Sequence, residues 1–378
     1  MRRLTALLLL TLFCSGPLPA ELGSMPFLTG SHGMGGSWMT DRTSVLATAF
    51  NPSLLGMPLK NAFRITTSLM LNDHAFQLIN STGSDIKEYS KKGIDSAPSS
   101  LLNQLQSFRP LYQGGLDISY RGEGFGITLY ATGRGQLDFQ GAVTPEGSLF
   151  FDQDTAIVVG FGIPVAVSKR GDFALFTGIN LRYVNRLRYQ EIGISFEQSS
   201  SIVDPFNLDT DFLMGQAISS DMAATIIAGT FTITLAWRNW FGMGFSWKKY
   251  DSQWKVIDNN VKDSHASPSL DAGVAWTFRT LFGISTDIFS DTTIALDIRG
   301  FLIEENSFFN MIHAGFRTTL LHFLTIKAGL NKGYPTFGVS VLIADTGHLE
   351  YALFSEEMGV MPGQEPATSH VFSLGVLF

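Results

Sequence analysis

The chain has 378 residues, of which 38 are glycine and 31 are phenylalanine, and its formal net charge is −7. Charged residues make up only 16% of it, below the roughly 25% that is usual in soluble domains. The excess of acidic over basic residues argues against a nucleic-acid-binding protein, and the single cysteine excludes an internal disulfide framework.

The N-terminus has the pattern of a secretory signal peptide. Two arginines precede an apolar run over residues 4–13, which is too short for a membrane-spanning helix of roughly 20 residues. Small residues and prolines follow up to Ala20, so we expect residues 1–20 to be removed during export. Lipidation of Cys14 is a second interpretation, but the large phenylalanine before it fits that reaction poorly.

Residues 21–60 show no alternation of apolar and polar positions. The segment contains several glycines and the run Phe50-Asn51-Pro52-Ser53-Leu54-Leu55. A segment this apolar and this low in charge predicts an ordered, enclosed unit. The alternative is a periplasmic tail, which we expect to be more charged.

Period-two alternation, typical of strands with one apolar face, recurs from residue 61 to the C-terminus. The predicted strands are 61–72, 113–122, 124–135, 154–165, 172–190, 222–237, 241–250, 269–279, 291–301, 309–319, 321–331, 335–344, 347–355 and 370–378. The residues predicted to point outward include Phe125, Ile127, Leu129, Leu324 and Ile326, and those predicted to point inward include Thr128, Tyr130 and Lys327.

A soluble β-sandwich would show the same alternation, but three features favour a transmembrane barrel. The chain is exported, the apolar faces carry no charge, and the last strand ends on Phe378, similar to the assembly signal of bacterial outer-membrane barrels. The connections agree, because the long ones include those after odd-numbered strands and those after even-numbered strands are mostly short. The predicted fold is therefore all-β: a transmembrane antiparallel β-barrel of about fourteen strands over 61–378, with 21–60 as a hatch or plug in its lumen. Twelve or sixteen strands are also compatible with the pattern.

The segment 73–112 contains apolar residues at helical spacing, after a helix-start signal at 98–100. These residues are Leu101, Leu102, Leu105 and Phe108. The pattern predicts an extracellular helix whose apolar face either captures a hydrophobic ligand or packs on the barrel rim.

The strand 154–165 contains Gly160, Gly162 and Pro164. Glycines permit bends, and proline cannot donate to a strand ladder, so one interpretation is a kink that opens the wall sideways. The other is a strand that ends at Pro164 before its turn.

Four cations on predicted inward faces are candidate partners for a ligand carboxylate. They are Arg121, Arg182, Arg299 and Lys327. Alternatively, they balance acids in the lumen.

Two stretches resemble the FadL-type family of outer-membrane transporters for long-chain fatty acids and other hydrophobic compounds. The run 50–55 resembles the family's N-terminal Asn-Pro-Ala segment, with Ser53 in place of alanine. The C-terminal series 324–334, 349–352, 356–359, 362–364 and 369–374 is more similar to the PorV-like accessory barrels of the same group. The resemblance implies a fourteen-stranded barrel with an N-terminal hatch that contacts ligand, here residues 50–55, and a side opening towards the membrane.

The sequence therefore predicts passive transport of long-chain fatty acids or similar hydrophobic molecules across the bacterial outer membrane. The alternatives are a non-transporting accessory barrel that anchors a secretion system, and a surface adhesin. Expected partners are the hydrophobic ligand, outer-membrane lipid and the barrel-assembly machinery. No enzyme activity, metal or cofactor is expected, because the seven histidines lack metal-ligand spacing and no Gly-x-Ser-x-Gly motif occurs.

Overall fold

The computed structural model describes residues 29–77, 85, 88, 89, 109, 111–140, 146–195, 211–278, 289–303, 308–357 and 366–378. The predicted signal peptide, Cys14 and the predicted capture residues Leu101, Leu102, Leu105 and Phe108 lie outside these ranges. Among the described residues, no helix is long and apolar enough to cross a bilayer.

The strands, numbered in chain order, are β1 Ala62–Asn72, β2 Leu111–Arg121, β3 Phe125–Gln140, β4 Glu146–Val167, β5 Phe173–Ser195, β6 Phe212–Ala228, β7 Phe231–Arg238, β8 Met243–Tyr250, β9 Val256–Asp258, β10 Ser264–Ala266, β11 Ser269–Phe278, β12 Phe289–Ile298, β13 Ile312–Leu320, β14 Leu324–Asn331, β15 Tyr334–Ile343, β16 Gly347–Glu357 and β17 Pro366–Leu377. The short helices are Thr29–His32, Ala47–Phe50, Asp73–Gln77 and Phe308–Met311, with a 3₁₀ turn at Pro52–Gly56.

These strands form a closed antiparallel barrel with fourteen wall strands. The first and last strands pair from Arg64 with Leu377 to Asn72 with Ser369, which closes the sheet on itself. β7 and β8 both pair with β6 and form one interrupted wall strand, while β10 and β11 pair with β8 and β7 and form the next one. The predicted fold class and strand number are confirmed.

Two predicted strand boundaries are wrong. The predicted strand 222–237 is the end of β6 and all but the last residue of β7, joined by a tight turn at Gly229 and Thr230. Gly229 has a φ of 57°, as a two-residue turn requires, and across the turn the exposed face changes from even positions such as Ala224 to odd ones such as Ile233. The predicted strand 241–250 consequently contains β8, the second half of the same wall strand.

The structure also extends the predicted strands β3 to β6 on the side of the long loops. β4 and β5 contain 22 and 23 residues, whereas a membrane-spanning strand requires about 9–11. The predicted loops 136–153 and 191–221 therefore include the strand residues 136–140, 146–153, 191–195 and 212–221. β4 also passes through Pro164 to Val167, so the strand does not end at the proline.

Alternate side chains face opposite sides of the wall. Leu129 and Ile326 are 43% and 39% exposed, while Thr128, Tyr130 and Lys327 are at most 8% exposed. On β4 the exposed set is apolar over eleven residues, the length needed to cross a bilayer. It comprises Ile157, Phe161, Ile163, Val165 and Val167. This exposed apolar belt is the outer surface expected of a barrel in contact with lipid.

Residues 29–57, here called the N-terminal segment, lie inside the barrel. The segment contacts the inward faces of opposite walls, from Gly33 beside Gly338 on β15 to Pro52 beside Gly178 on β5. The core therefore lies between this segment and the wall.

Candidate functional site

Glycines on β3, β4 and β5 form a seat for the N-terminal segment. A Cβ atom added to Gly162 would lie 2.5 Å from the backbone nitrogen of Gly56, and one on Gly160 would lie 2.9 Å from Leu55 Cδ1. Gly178, the partner of Gly162 in the β4–β5 ladder, would meet the backbone of Pro52. These glycines allow the 3₁₀ turn to approach the wall more closely than any side chain would permit.

The wall at Gly160 and Gly162 is closed in this structure. Gly160 pairs with Gly126 on one side and Asn180 on the other, and the Gly162 amide donates to the Gly124 carbonyl at 3.0 Å. A register shift between β4 and β5 does occur beside Pro164. The predicted role of these residues in a lateral gate stays a prediction.

The run 50–55 is anchored to the wall rather than exposed to the lumen. Asn51 donates from Nδ2 to the Met39 carbonyl at 2.7 Å and to the hydroxyls of Thr225 and Thr234 at 3.2 and 3.3 Å. The Ser53 hydroxyl lies 2.7 Å from that of Thr225. Phe50, Asn51, Pro52, Ser53, Leu54 and Leu55 are all buried.

Arg121 clamps the N-terminal segment. Its guanidinium donates to the carbonyls of Arg42, Ser44 and Leu54 at 3.0, 2.9 and 2.6 Å, and the residue is only 3% exposed. One β2 side chain thus joins two parts of the segment that are ten residues apart.

The other predicted carboxylate partners also contact protein groups. Lys327 donates to Glu350 at 2.8 Å, and the Arg299 guanidinium lies 5.4 Å from the centre of the Trp38 ring. Arg182 donates to Asp221 at 2.7 Å and to the Ala49 carbonyl at 3.1 Å. The structure thus places these cations between the N-terminal segment and the wall, where they balance lumen acids.

Sequence reasoning missed a buried ion network that continues from Arg182. Asp221 lies 3.5 Å from Arg238, which donates to Asp271 at 3.1 Å. Arg238 also lies 4.9 Å above the Trp38 ring, on the N-terminal segment. Asp221 lies in the predicted loop 191–221, and the pairing of these residues depends on which strands are neighbours, which only the register supplies.

A second ion pair joins the segment to β13. Asp41 accepts hydrogen bonds from Arg317 at 3.1 Å and from the backbone and hydroxyl of Thr43 at 3.1 and 2.7 Å. Burial alone would raise the pKa of Asp41, but the positive charge of Arg317 and these hydrogen bonds hold it at about 2.

An apolar column runs from the N-terminal segment towards the end of the barrel that carries the long loops. Its members are 0–5% exposed side chains of the segment and of β3 to β10. They are Leu46, Ala49, Phe50, Tyr130, Ala156, Val158, Val184, Ala217, Met243, Phe245, Trp247 and Ala266. The column is a continuous cluster of packed hydrocarbon and aromatic side chains.

Two arginine–aspartate pairs flank the outer part of this column. Arg186 binds Asp154 with two hydrogen bonds of 2.6 and 2.8 Å, and Arg188 binds Asp152 with two of 2.9 and 3.0 Å. Each pair connects β5 to β4. Because both oxygens of each carboxylate are engaged, the pairs hold these projecting strands in register.

The same two guanidinium groups cover the aromatic end of the column. Arg186 lies 4.7 Å from the centre of the Phe245 ring, and Arg188 lies 5.0 Å from that of Trp247. The two rings are stacked with their centres 5.4 Å apart. We call this set of two buried rings and two arginine–aspartate pairs the aromatic mouth.

The barrel wall is interrupted beside this column. The ladder between β6 and the β7–β8 strand is broken between the pair Met222–Trp237 and the pair Gln216–Ser246. In this gap, five residues of β6 (217–221) face eight residues of the β7–β8 strand (238–245). Asn239 and Gly242 have φ angles of 46° and 80°, as a tight turn within the wall requires. We call this feature the wall interruption.

A few bonds close the wall interruption. The Trp240 amide donates to the Ser220 carbonyl at 3.2 Å, and the Asn239 amide donates to Asp221 at 2.9 Å. The Ser219 hydroxyl lies 2.7 Å from Asn239 Oδ1.

Apolar side chains lie on both sides of the wall interruption. On the lumen side, Ala217 and Met243 belong to the apolar column. On the outer side, Ile218, Trp240 and Phe241 are 55%, 37% and 52% exposed. In the sequence, the signals for this feature were the glycine of the turn and the break between the predicted strands 222–237 and 241–250.

No family model and no curated protein matches the chain. Solved structures of similar architecture include the Ralstonia pickettii toluene transporter TbuX, with a TM-score of 0.47, 10% identity and coverage of 93% of this chain and 98% of that one. A Pseudomonas aeruginosa FadL homologue has a TM-score of 0.44 and 10% identity, over 94% and 99% of the two chains. The P. putida toluene transporter TodX has a TM-score of 0.42 and 11% identity, over 93% and 97%.

Proposed function

We propose that this protein is an outer-membrane channel through which long-chain fatty acids or similar hydrophobic molecules diffuse passively. The observation that carries the proposal is the apolar column, because it leads from the aromatic mouth to the wall interruption. In a membrane, the outer side of that interruption meets hydrocarbon. An apolar molecule on this route stays out of water, which is worth about 0.8 kcal/mol for each buried CH₂ group.

In this proposal the N-terminal segment is the hatch. The segment closes the column from below, since Phe50 and Leu46 are part of it. Movement of the hatch is coupled to the wall interruption through Asp221. Arg182 donates hydrogen bonds to the Ala49 carbonyl of the hatch and to Asp221, and Asp221 accepts a hydrogen bond from the Asn239 amide in the wall interruption. The ligand then leaves sideways between Ile218 and Met243.

A disulfide across the wall interruption tests this route. Ser219 and Asn239 touch through their side chains, so the pair Ser219→Cys/Asn239→Cys locks β6 to the β7–β8 turn when oxidised. The matched control is Thr277→Cys/Thr293→Cys, which joins directly paired residues where the ladder is continuous. Residues 21–378 contain no cysteine, so each variant carries only its engineered pair once residues 1–20 are removed.

Uptake of labelled palmitate and of toluene into proteoliposomes is then measured before and after reduction. We expect oxidation to lower uptake at least tenfold in the first pair only, with recovery on reduction. Equal uptake by the oxidised and reduced first pair would exclude the wall interruption as the exit. Absence of protein-dependent uptake for both probes would exclude the channel function itself.

A second candidate function is a non-transporting accessory barrel that anchors a secreted or surface partner. It is favoured by the close packing of the lumen, where Arg121 and Arg182 both bind carbonyls of the N-terminal segment. Co-purification of a stoichiometric partner, together with uptake equal to that of empty liposomes, would support it.

A further inference from the structure

A groove of about 460 Å³ lies on the outer face of the wall, across β2 to β5. Its sides are formed by Leu116, Leu129, Ile157 and Tyr183, which are 41–47% exposed. Leu129, Ile157 and Tyr183 lie side by side on neighbouring strands. The lining also includes Tyr130 and Ala156, whose side chains are buried on the lumen side and belong to the apolar column, so these two residues separate the groove from the column.

The groove has small and polar residues at one end only. One row further from the chain termini, Ala131, Thr155 and Asn185 are paired across β3, β4 and β5, and all three line the groove. The groove is therefore an apolar trough with a hydroxyl and an amide at its upper end. A few polar groups beside a mainly apolar surface orient an amphiphile with a chain and a polar head.

The groove lies where the barrel meets lipid. Leu129 and Ile157 belong to the exposed apolar belt, so the groove is continuous with the surface that meets lipid in a membrane. A volume of about 460 Å³ is within the roughly 300–1,000 Å³ of small-molecule sites. A chain in this trough contacts protein on several sides, whereas a chain on the convex belt contacts it on one, so dispersion contacts favour the trough.

We propose that the groove seats one acyl chain of a phospholipid from the leaflet distal to the chain termini, with its polar region at Thr155 and Asn185. This proposal requires that the barrel spans a membrane, but it does not require that any molecule is transported through the lumen. It is a site for a resident lipid, distinct from the transported molecule.

Photo-crosslinking in nanodiscs tests the assignment. The probe is a phosphatidylethanolamine with a diazirine in its acyl chain, at a low mole fraction. Ala131→Phe fills the groove, and Ala224→Phe is the matched control, since Ala224 is exposed on the outer face of β6 away from the groove. We expect cross-links at least fivefold more frequent at residues 116–131 and 155–185 than on β11 to β14, with this excess lost in A131F and kept in A224F.

Two results would overturn the proposal. One is cross-linking of the wild-type protein that is even around the belt, which does not depend on how the variants fold. The other is selective labelling by a diazirine-bearing palmitate but not by the phospholipid, which would assign the groove to a free fatty acid. Because no uptake is measured, failure of transport leaves these outcomes unchanged.

Discussion

Arg121→Met should loosen the N-terminal segment while leaving the barrel closed. The wild-type guanidinium donates to three carbonyls at 2.6–3.0 Å, and methionine retains much of the side-chain volume without any donor. Hydrogen bonds to charged groups contribute about 1.5–3 kcal/mol each, but these three share one cation. We therefore expect a loss of about 3 kcal/mol in docking of the segment, which is roughly a 100-fold increase in its opening.

Hydrogen exchange followed by mass spectrometry measures this change. Peptides covering residues 42–57 should exchange roughly 100-fold faster in R121M, while peptides from β12 to β15 report on the integrity of the barrel. Arg170→Met is the control, because Arg170 is exposed in the turn between β4 and β5. A change below tenfold at residues 42–57, with the barrel peptides unchanged, would refute the view of Arg121 as the clamp.

Two further perturbations test the contacts of the N-terminal segment. Gly178→Ala places a Cβ against the Pro52 backbone and should lower the free energy of unfolding by about 1–3 kcal/mol. In the control Gly133→Ala, the nearest atom to the new Cβ is 3.7 Å away, so this change should be close to neutral. Thermal unfolding and hydrogen exchange of residues 42–57 compare the two variants, and equal effects would contradict the role of these glycines as a seat. Because folding lowers the pKa of Asp41 from its ordinary value of 3.8 to about 2, its pairing with Arg317 stabilises docking above about pH 4 and is lost as the pH falls towards 2. The lost stability is at most about 2 kcal/mol, since the carboxylate is 29% exposed, and Asp41→Asn should remove this pH dependence of exchange.

The barrel could be predicted from the sequence because its physics is local along each strand. A residue's side of the wall depends only on parity, so Leu129 and Ile326 are exposed while Tyr130 and Lys327 are buried, as predicted. Parity also explains the failure at Gly229: Ala228 and Phe231 pair on the same side of the wall, so the exposed face changes from even to odd positions, and the apolar Ile227 hides that change in the sequence.

The site was less predictable because its contacts join distant parts of the chain. Gly160 and Gly162 were noticed as permissive of a bend, but what they accommodate is the turn at 52–56, more than a hundred residues away. Likewise Arg182 and Asp221 are separated by 39 positions and meet only through the β5–β6 register. Residue type marked these positions as unusual, and only strand neighbours show their partners.

The enclosure of the N-terminal segment places a constraint on the order of assembly. Gly35 donates to Thr336 on β15 across 301 positions of sequence, and the first strand pairs with the last, so the first contact requires β15 and the second requires β17 to have been made. Chains whose contacts are this remote fold slowly, because the entropy of closing long loops precedes the gain from contact. The segment must also be inside when the two edge strands meet. Barrel closure is therefore the step after which the segment can no longer enter, so the edges of β1 and β17 have to stay apart until the segment has docked.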